Sequence, residues 1–259
     1  MLEVFFAASI ILYLVSMIAH LYNLLAEGKL PAWVGIGPLV AGFVLQTVMF
    51  GYSGLTGQSR GLGVWLSAAA WILALLYLVA YARYREMALG GFALPAIFVL
   101  AGYSAALPGA WGAGSQAVQG FLLKSHAFLA LLSAASFFLL FAAALMYVAQ
   151  AHQLKSRRPG AWLRRLPSLD VLDDLNHKIL YFGFAFLTAS LLLGSMWAQS
   201  EHGAFWSFDL VKTLPLILTW LGYGLLLVCR LTRSWKGMRS AFFSMGAFVA
   251  VLFALAVHL

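Results

Sequence analysis

Long apolar runs separated by short polar breaks follow one another along the whole chain. A helix that crosses the hydrocarbon core of a bilayer needs about 20 mostly apolar residues. Runs of about this length cover approximately residues 3–25, 33–52, 64–82, 88–107, 121–149, 177–199, 211–230 and 240–258. The pattern therefore predicts an all-α integral membrane protein that forms a bundle of about eight transmembrane helices.

The polar breaks are too short to hold a soluble domain, so residues 1–259 are predicted to form a single transmembrane domain. Composition agrees, because 63% of the residues are hydrophobic and 9% are charged, against roughly 25% charged residues in soluble proteins. The first residues lack the basic start and small-residue cleavage site of a signal peptide, so the first run is expected to be a retained helix. The single cysteine, Cys229, and the absence of a Cys-x-x-Cys-His motif exclude covalently attached c-type haem.

The basic residues are distributed unequally between the two sets of helix ends. Thirteen of the 16 Lys and Arg residues lie at one set, and only Arg60, Lys124 and Lys212 lie at the other. By the positive-inside rule, the loops after the first, third, fifth and seventh runs face the cytoplasm. Both termini and the remaining loops are then predicted to be external. The net charge of +8 is interpreted as membrane topology and not as nucleic-acid binding.

The longest predicted cytoplasmic loop, residues 150–176, changes from basic to acidic along its length. Its second part, "LPSLDVLDDLNHK", has apolar residues spaced as in a short interfacial helix, with Asp170 as a candidate cap. The loop either connects two helices along the headgroups or serves as a docking surface for a cytosolic partner.

The six histidines divide by predicted depth and side. His152 and His177 lie at cytoplasmic helix ends, and His20 lies inside the first run and needs a partner or a cavity. The remaining three, His126, His202 and His258, are all predicted at the external side.

Imidazole binds both zinc and haem iron. No two histidines have the i, i+3 or i, i+4 spacing of a local zinc site, whereas haem takes one or two axial ligands from distant helices and an aromatic pocket. The candidate pocket residues are Trp197, Phe205, Trp206 and Phe208. The alternative interpretation of these aromatic side chains is an interfacial belt at headgroup depth.

The external stretch "MWAQSEHGAFWSFDLVKT" resembles the Trp-rich loop of the cytochrome c assembly family of haem-handling membrane proteins, which includes CcsA-, ResC- and HemX-like members. The family pattern is W-A-x-x-x-W-G-x-x-W-x-W-D-P-K. Trp197, Ala198, Gly203, Trp206 and Asp209 match it at their positions. His202 and Phe208 stand where the family usually has tryptophan, and Leu210 stands where it has proline.

Further segments extend the resemblance beyond this loop. Residues 125–155, 166–198 and 230–253 are similar to the helices around the family's loop, and residues 41–60 match more weakly. The resemblance is strongest over 120–259. In the early part of the chain, Gln46 stands where the family often has a histidine.

The resemblance implies non-covalent haem b at the external face of a bacterial cytoplasmic membrane, in a multi-pass protein. His126 matches the family's first external axial ligand. The second ligand would be His258 or His202. The choice between them stays open because neither aligns with the family's second histidine. The aromatic side chains would stack on the macrocycle, and Asp209 would orient a ligand imidazole.

The implied function is the presentation of haem for attachment to apocytochrome c, as one component of a synthase complex and not as a stand-alone enzyme. A partner similar to CcsB/ResB would supply the external domain that this chain lacks. The alternative is a HemX-like regulator or scaffold of tetrapyrrole synthesis, which contacts a cytosolic enzyme and delivers no haem. A small-molecule transporter is a third possibility, for which the sequence offers neither a repeat nor a buried charge pair.

Overall fold

The computed structural model describes residues 2–26, 30–56, 62–107, 120–156, 165–203, 210–232 and 235–258. The regular elements in these ranges are eight α-helices, with no strand among them. They are α1 (Leu2–Leu25), α2 (Ala32–Thr56), α3 (Leu62–Tyr84), α4 (Gly90–Ala106), α5 (Phe121–Ser156), α6 (Leu169–His202), α7 (Leu210–Leu231) and α8 (Met238–His258). The predicted all-α architecture is confirmed.

Within the described ranges, seven helices are long and apolar enough to cross a membrane. The remaining helix, α4, has 17 residues and measures about 26 Å at ~1.5 Å per residue, slightly less than the ~30 Å hydrocarbon core. In contrast, α5 has 36 residues and α6 has 34, so both extend beyond that core. The protein is a multi-pass membrane protein, and the external location of its termini stays a prediction.

The backbone groups into two compact units, residues 1–118 and 119–259. The N-terminal unit contains α1–α4, and the C-terminal unit contains α5–α8. Whether they form the predicted single domain stays a prediction.

A buried polar seam runs through the N-terminal unit. One face of α1 carries Ser9, Tyr13, Ser16 and His20, at the spacing that aligns residues along one side of a helix. All four are fully or almost fully buried. The seam continues into α2, where the Gln46 amide accepts from the Tyr13 hydroxyl at 2.6 Å. The same amide donates to the Ser67 hydroxyl of α3 at 2.7 Å and to its carbonyl at 2.9 Å, so Gln46 is a satisfied core residue.

The core of the C-terminal unit is apolar and aromatic. The rings of Phe137 on α5 and Tyr223 on α7 stack with centroids 3.7 Å apart. Small residues let α5 and α6 approach closely, as is common between membrane helices. At one such point Ser133 donates to the Gly183 carbonyl at 3.0 Å.

The amphipathic stretch after residue 168 is not a separate interfacial helix, as its sequence predicted, but the start of α6. Its leucines 172 and 175 are buried, so they extend the apolar face of α6 into the unit. The cap is Ser168, whose hydroxyl accepts from the Val171 amide at 3.4 Å. The prediction of Asp170 as the cap is wrong, because Asp170 lies in the first turn of α6. Its negative charge there interacts favourably with the positive end of the helix dipole.

Candidate functional site

His126 lies near the start of α5, and its imidazole packs against the α6 backbone. The nearest point is Gly194, where a Cβ would stand 2.7 Å from His126 Nδ1 and 2.8 Å from its Cε1. Any larger residue at this position would displace the imidazole, so Gly194 is required for its placement.

One nitrogen of His126 is fixed by the backbone of α6. Nδ1 lies 2.7 Å from the carbonyl oxygen of Ser190, and because a carbonyl can only accept, Nδ1 carries the proton. The Ser190 hydroxyl lies 3.1 Å from the same nitrogen and donates to the His126 carbonyl at 3.0 Å. Since the side chain of Ser190 is 1% exposed, this reciprocal pair forms away from lipid and water.

The other nitrogen of His126 keeps its lone pair. With the proton on Nδ1, Nε2 is the basic nitrogen, and across the described parts of the chain no hydrogen bond to it is recorded. Metal-ligating histidines almost always have this arrangement, in which the second ring nitrogen donates to a carbonyl or carboxylate and so sets the tautomer. Neutral imidazole oriented in this way can ligate a metal ion or haem iron.

Apolar surface surrounds the outer part of α6. A groove of about 330 Å³ lies between α6 and α7, on a different face of α6 from Ser190 and Gly194, which contact His126. Its lining includes Leu191, Ser195 and Trp220, and the Trp220 indole donates to Thr188 at 3.1 Å. Trp197, half-buried, follows Gly194 by three residues on the same helix.

The motif glycine, Gly203, ends α6 in the left-handed conformation with φ of 70°. Its amide donates to the Gln199 carbonyl at 3.1 Å, as in the common glycine-terminated helix end. Glycine adopts this conformation without steric cost, which gives a physical reason for the glycine of the loop pattern.

The three predicted external histidines share one end of the C-terminal unit. Because α5 and α6 run antiparallel, His126 lies beside the last turns of α6, which His202 ends. The chain then reverses through α7 and α8, and His258 ends α8 at the same end. The side chains of His202 and His258 lie outside the described residues, as do Phe205, Trp206, Phe208 and Asp209 entirely. The part of the chain that is described contains no cluster of three or more His, Cys, Asp or Glu suited to a metal ion.

His20, the remaining histidine predicted inside a helix, has both nitrogens engaged. Nδ1 donates to the Ser16 carbonyl at 2.8 Å, and Nε2 accepts from the Tyr77 hydroxyl at 2.8 Å. Its imidazole is 1% exposed and fits against Gly35 and Gly90, where an added Cβ would collide with it. The structure therefore assigns His20 to the packing of α1–α4.

Arg230 has a structural role that its sequence context did not predict. It was counted as an orientation signal, yet its side chain is buried at the end of α7. The guanidinium pairs with the Asp173 carboxylate at 3.1 Å and donates to the Ser240 hydroxyl at 2.7 Å. This contact joins α6, α7 and α8 at the end opposite His126.

Sequence reasoning missed Ser190 and Gly194, the residues that hold His126. The available signal was their spacing, since two small residues four apart on one helix face often mark a close helix contact. Residue type alone could not reveal that the contact partner was an imidazole.

The chain is similar to a described protein family and to several named proteins. Residues 62–259 match the family described as "Cytochrome C assembly protein". The chain is also similar to proteins named "Cytochrome c biogenesis protein CcsA". The one from Gloeothece citriformis is 36% identical over 96 residues, which cover 37% of this chain and 29% of the relative.

Two further CcsA proteins show the same extent of similarity. The protein from Porphyra purpurea is 38% identical over 87 residues, 34% of this chain and 27% of the relative. The protein from Guillardia theta is 40% identical over 83 residues, 32% of this chain and 27% of the relative. Each matched stretch thus spans less than a third of the relative's length. The family match is broader, since it includes every helix of the C-terminal unit and most of the chain, and the protein therefore belongs to the cytochrome c assembly protein family.

Proposed function

We propose that the protein acts in cytochrome c biogenesis by holding haem at the external face of a bacterial cytoplasmic membrane. The proposal assigns His126 as an axial ligand of non-covalently bound haem b. Family membership and the names of the CcsA relatives support the biological role. The orientation of the His126 imidazole supports the chemistry.

The main support for this proposal is the difference between the two nitrogens of His126. Nδ1 donates to the Ser190 carbonyl, which holds the imidazole in one tautomer and leaves the lone pair of Nε2 available to a ligand. Loss of such an outer partner typically lowers metal affinity about 10–100-fold. The chain therefore presents a preorganised ligand nitrogen, whose position depends on α6 as much as on α5.

The surroundings suit haem better than a small metal ion. Haem needs one or two axial ligands and a large apolar surface, and the outer part of α6 around Gly194 carries exposed apolar side chains such as Leu192 and Met196. The second ligand is proposed to be His258 or His202, which end α8 and α6 at the same end of the unit. Bound haem supplies the iron and the macrocycle, while the chain binds it, orients it and excludes water.

The partners proposed for this function are an apocytochrome c and a membrane subunit similar to CcsB/ResB. Asp209 and the aromatic residues of the external loop, Phe205, Trp206 and Phe208, are proposed to contact the exposed edge of haem. The match to the loop pattern of the family supports this placement.

Absorption spectroscopy of the purified protein tests the proposal. Protein from haem-replete cells should show a Soret band that His126→Ala loses. His152→Ala is the matched control, because His152 lies on the same helix near its other end and is exposed. Absence of the band in the wild-type protein, or an equal band in His126→Ala, would refute the assignment.

One observation favours the HemX-like regulatory function as a second candidate. A polar pocket of about 380 Å³ at the end of the unit opposite His126 is lined by Asp170, Asp174, His177 and Lys236 among others. Mixed charges at a predicted cytoplasmic surface suit contact with a soluble tetrapyrrole enzyme. The same spectra separate the two candidates. Regulation through this surface does not involve haem, so it predicts no Soret band in the wild-type protein and no effect of His126→Ala.

A further inference from the structure

A second groove lies between α7 and α8 at the end of the C-terminal unit opposite His126. Its volume is about 790 Å³. The residues that decide its character are Gly222 on α7, Trp235 before α8, and Arg239, Phe243 and Gly246 on α8. The groove is separate from the proposed haem site and serves no role in the proposed function.

Two glycines create the space in this groove. A Cβ at Gly246 would meet nothing within 4 Å, and one at Gly222 would meet only the Ala247 side chain at 3.9 Å. Large exposed side chains flank the space, with Leu218 on one side and Phe242 on the other. The result is an apolar trough that opens toward lipid. Its width comes from the absence of side chains at the two glycines.

The mouth of the trough is basic and aromatic. Arg239, Phe243 and Gly246 follow one face of α8 at i, i+4 and i+7, so the charge lies about 10 Å along the axis from the deeper glycine. The Trp235 ring packs edge-to-face on Phe243 with centroids 5.3 Å apart, and both rings line the groove together with Arg239.

Arg239 differs from Arg230 in its exposure to the surroundings and in its contacts within the protein. Arg230 is buried and paired with Asp173, whereas Arg239 is exposed. Among the residues that the structure describes, no ion pair or hydrogen bond is recorded for the Arg239 guanidinium or the Trp235 indole N–H. An exposed cation and a partly buried indole therefore both line the end of the apolar trough.

We propose that this groove binds one anionic phospholipid. Its phosphate is bound by Arg239 and the Trp235 N–H, and one acyl chain lies along Gly222 and Gly246. Tryptophan commonly lies at headgroup depth, and basic pockets between helices on the cytoplasmic side bind anionic headgroups. This end of the unit is also the one that the distribution of Lys and Arg assigns to the cytoplasm, whose leaflet carries anionic lipids.

The charge at the mouth selects this occupant over others. Bulk acyl chains would fill an apolar trough whatever their headgroup, and a second copy of the chain would bring its own cationic α8 to the same place. An anion with an attached hydrocarbon chain satisfies both halves of the groove.

Native mass spectrometry and thermal unfolding in detergent test the proposal with the full chain. The probes are dioleoyl phosphatidylglycerol, dioleoyl phosphatidylcholine and inorganic phosphate. Arg239→Gln removes the cation, and Gly246→Leu places a side chain in the trough at a position where an added Cβ meets nothing within 4 Å. The matched controls are Arg83→Gln, an exposed arginine in the last turn of α3, and Gly51→Leu, an exposed glycine with open space around it.

Wild-type protein is expected to bind phosphatidylglycerol and to be stabilised by it, with weaker binding of phosphatidylcholine. Arg239→Gln should weaken phosphatidylglycerol binding at least about fivefold, the equivalent of ~1 kcal/mol for one interfacial cation. Gly246→Leu should weaken it similarly, while both controls bind as the wild type does.

Equal binding of the two lipids, or unchanged binding in both groove variants, would overturn the proposal. So would stabilisation by inorganic phosphate alone, which would indicate a free anion site, or a dimer mass in place of bound lipid. Because Arg239 is exposed and Gly246 faces open space, neither variant should prevent folding. Since the haem spectrum is measured separately, failure of this proposal leaves the haem proposal standing.

Discussion

His20 and His126 are both imidazoles within membrane-spanning helices, yet their environments differ at one nitrogen. In both, Nδ1 donates to a backbone carbonyl, that of Ser16 or that of Ser190. In His20 the Tyr77 hydroxyl occupies Nε2, whereas in His126 no donor to Nε2 is recorded within the described ranges. Both nitrogens of His20 have hydrogen-bond partners within their unit, whereas Nε2 of His126 is available to a ligand.

This difference shows how to judge a histidine in a membrane helix. Burial of a polar side chain suggests function, but His20 is the more deeply buried of the two and has its hydrogen bonds satisfied. Coordination requires a fixed imidazole with one nitrogen left free. The hydrogen bonds of both nitrogens therefore indicate function better than depth does.

The largest effect among the variants of these two sites is expected from His20→Ala, in the free energy of unfolding. The change leaves a cavity between α1 and the helices around it and removes the acceptor for the Tyr77 hydroxyl. A loss of about 3 kcal/mol in the free energy of unfolding is expected, measured by unfolding in mixed detergent micelles.

The Soret band of folded His20→Ala protein should remain that of the wild type. Tyr77→Phe is the matched milder variant, since it removes only the hydroxyl, and it should cost about 1 kcal/mol. Loss of haem from folded His20→Ala protein would show that the two histidines do not differ in function as described.

The next effect in size is expected from Gly194→Val. The added side chain would occupy the space of the His126 imidazole, where even a Cβ would approach Nδ1 to 2.7 Å. The imidazole must then move away from the Ser190 carbonyl, and haem affinity should fall about 10–100-fold, measured by haem titration.

Gly51→Val is the control for the helix propensity of valine, because nothing lies within 4 Å of that position. Unchanged haem affinity in Gly194→Val would show that the position of the His126 imidazole against α6 is irrelevant to binding.

The smallest effect should come from Ser190→Ala. The backbone carbonyl that accepts from Nδ1 remains, and only the hydroxyl that donates to the His126 carbonyl is lost. One such hydrogen bond is worth about 1 kcal/mol, so haem affinity should fall about fivefold. Ser195→Ala, a change on the neighbouring face of α6, should leave the affinity unaltered. An effect of Ser190→Ala as large as that of Gly194→Val would assign the orienting role to the hydroxyl and not to the backbone.

The helices could be predicted from the sequence because an apolar run of sufficient length has few alternatives in a membrane. The predicted starts and ends of the runs lie close to those of α1–α8, with two informative exceptions. The predicted interfacial helix proved to be the start of α6, because leucines 172 and 175 are buried in the unit. The fifth run, predicted to end at about residue 149, continues in α5 to Ser156.

The contacts that orient the two histidines could not be predicted from local sequence. His20 meets Tyr77 across 57 positions of the chain, and His126 meets Ser190 across 64. No periodicity specifies such pairs, so topology and resemblance indicate His126 as a candidate ligand but do not predict the orientation of its imidazole. The haem-binding roles of all the predicted site residues stay predictions, and the side chains of His202, His258, Asp209, Phe205, Trp206 and Phe208 also lie outside the described residues.

The most direct test of the account is the Soret absorption of four purified proteins, the wild type, His126→Ala, His20→Ala and His152→Ala. The account predicts a Soret band in the wild type, its loss in His126→Ala only, and its retention in the other two variants at equal protein concentration. A band of wild-type intensity in His126→Ala, or no band in any of the four, would contradict the central claim that the free nitrogen of His126 binds haem.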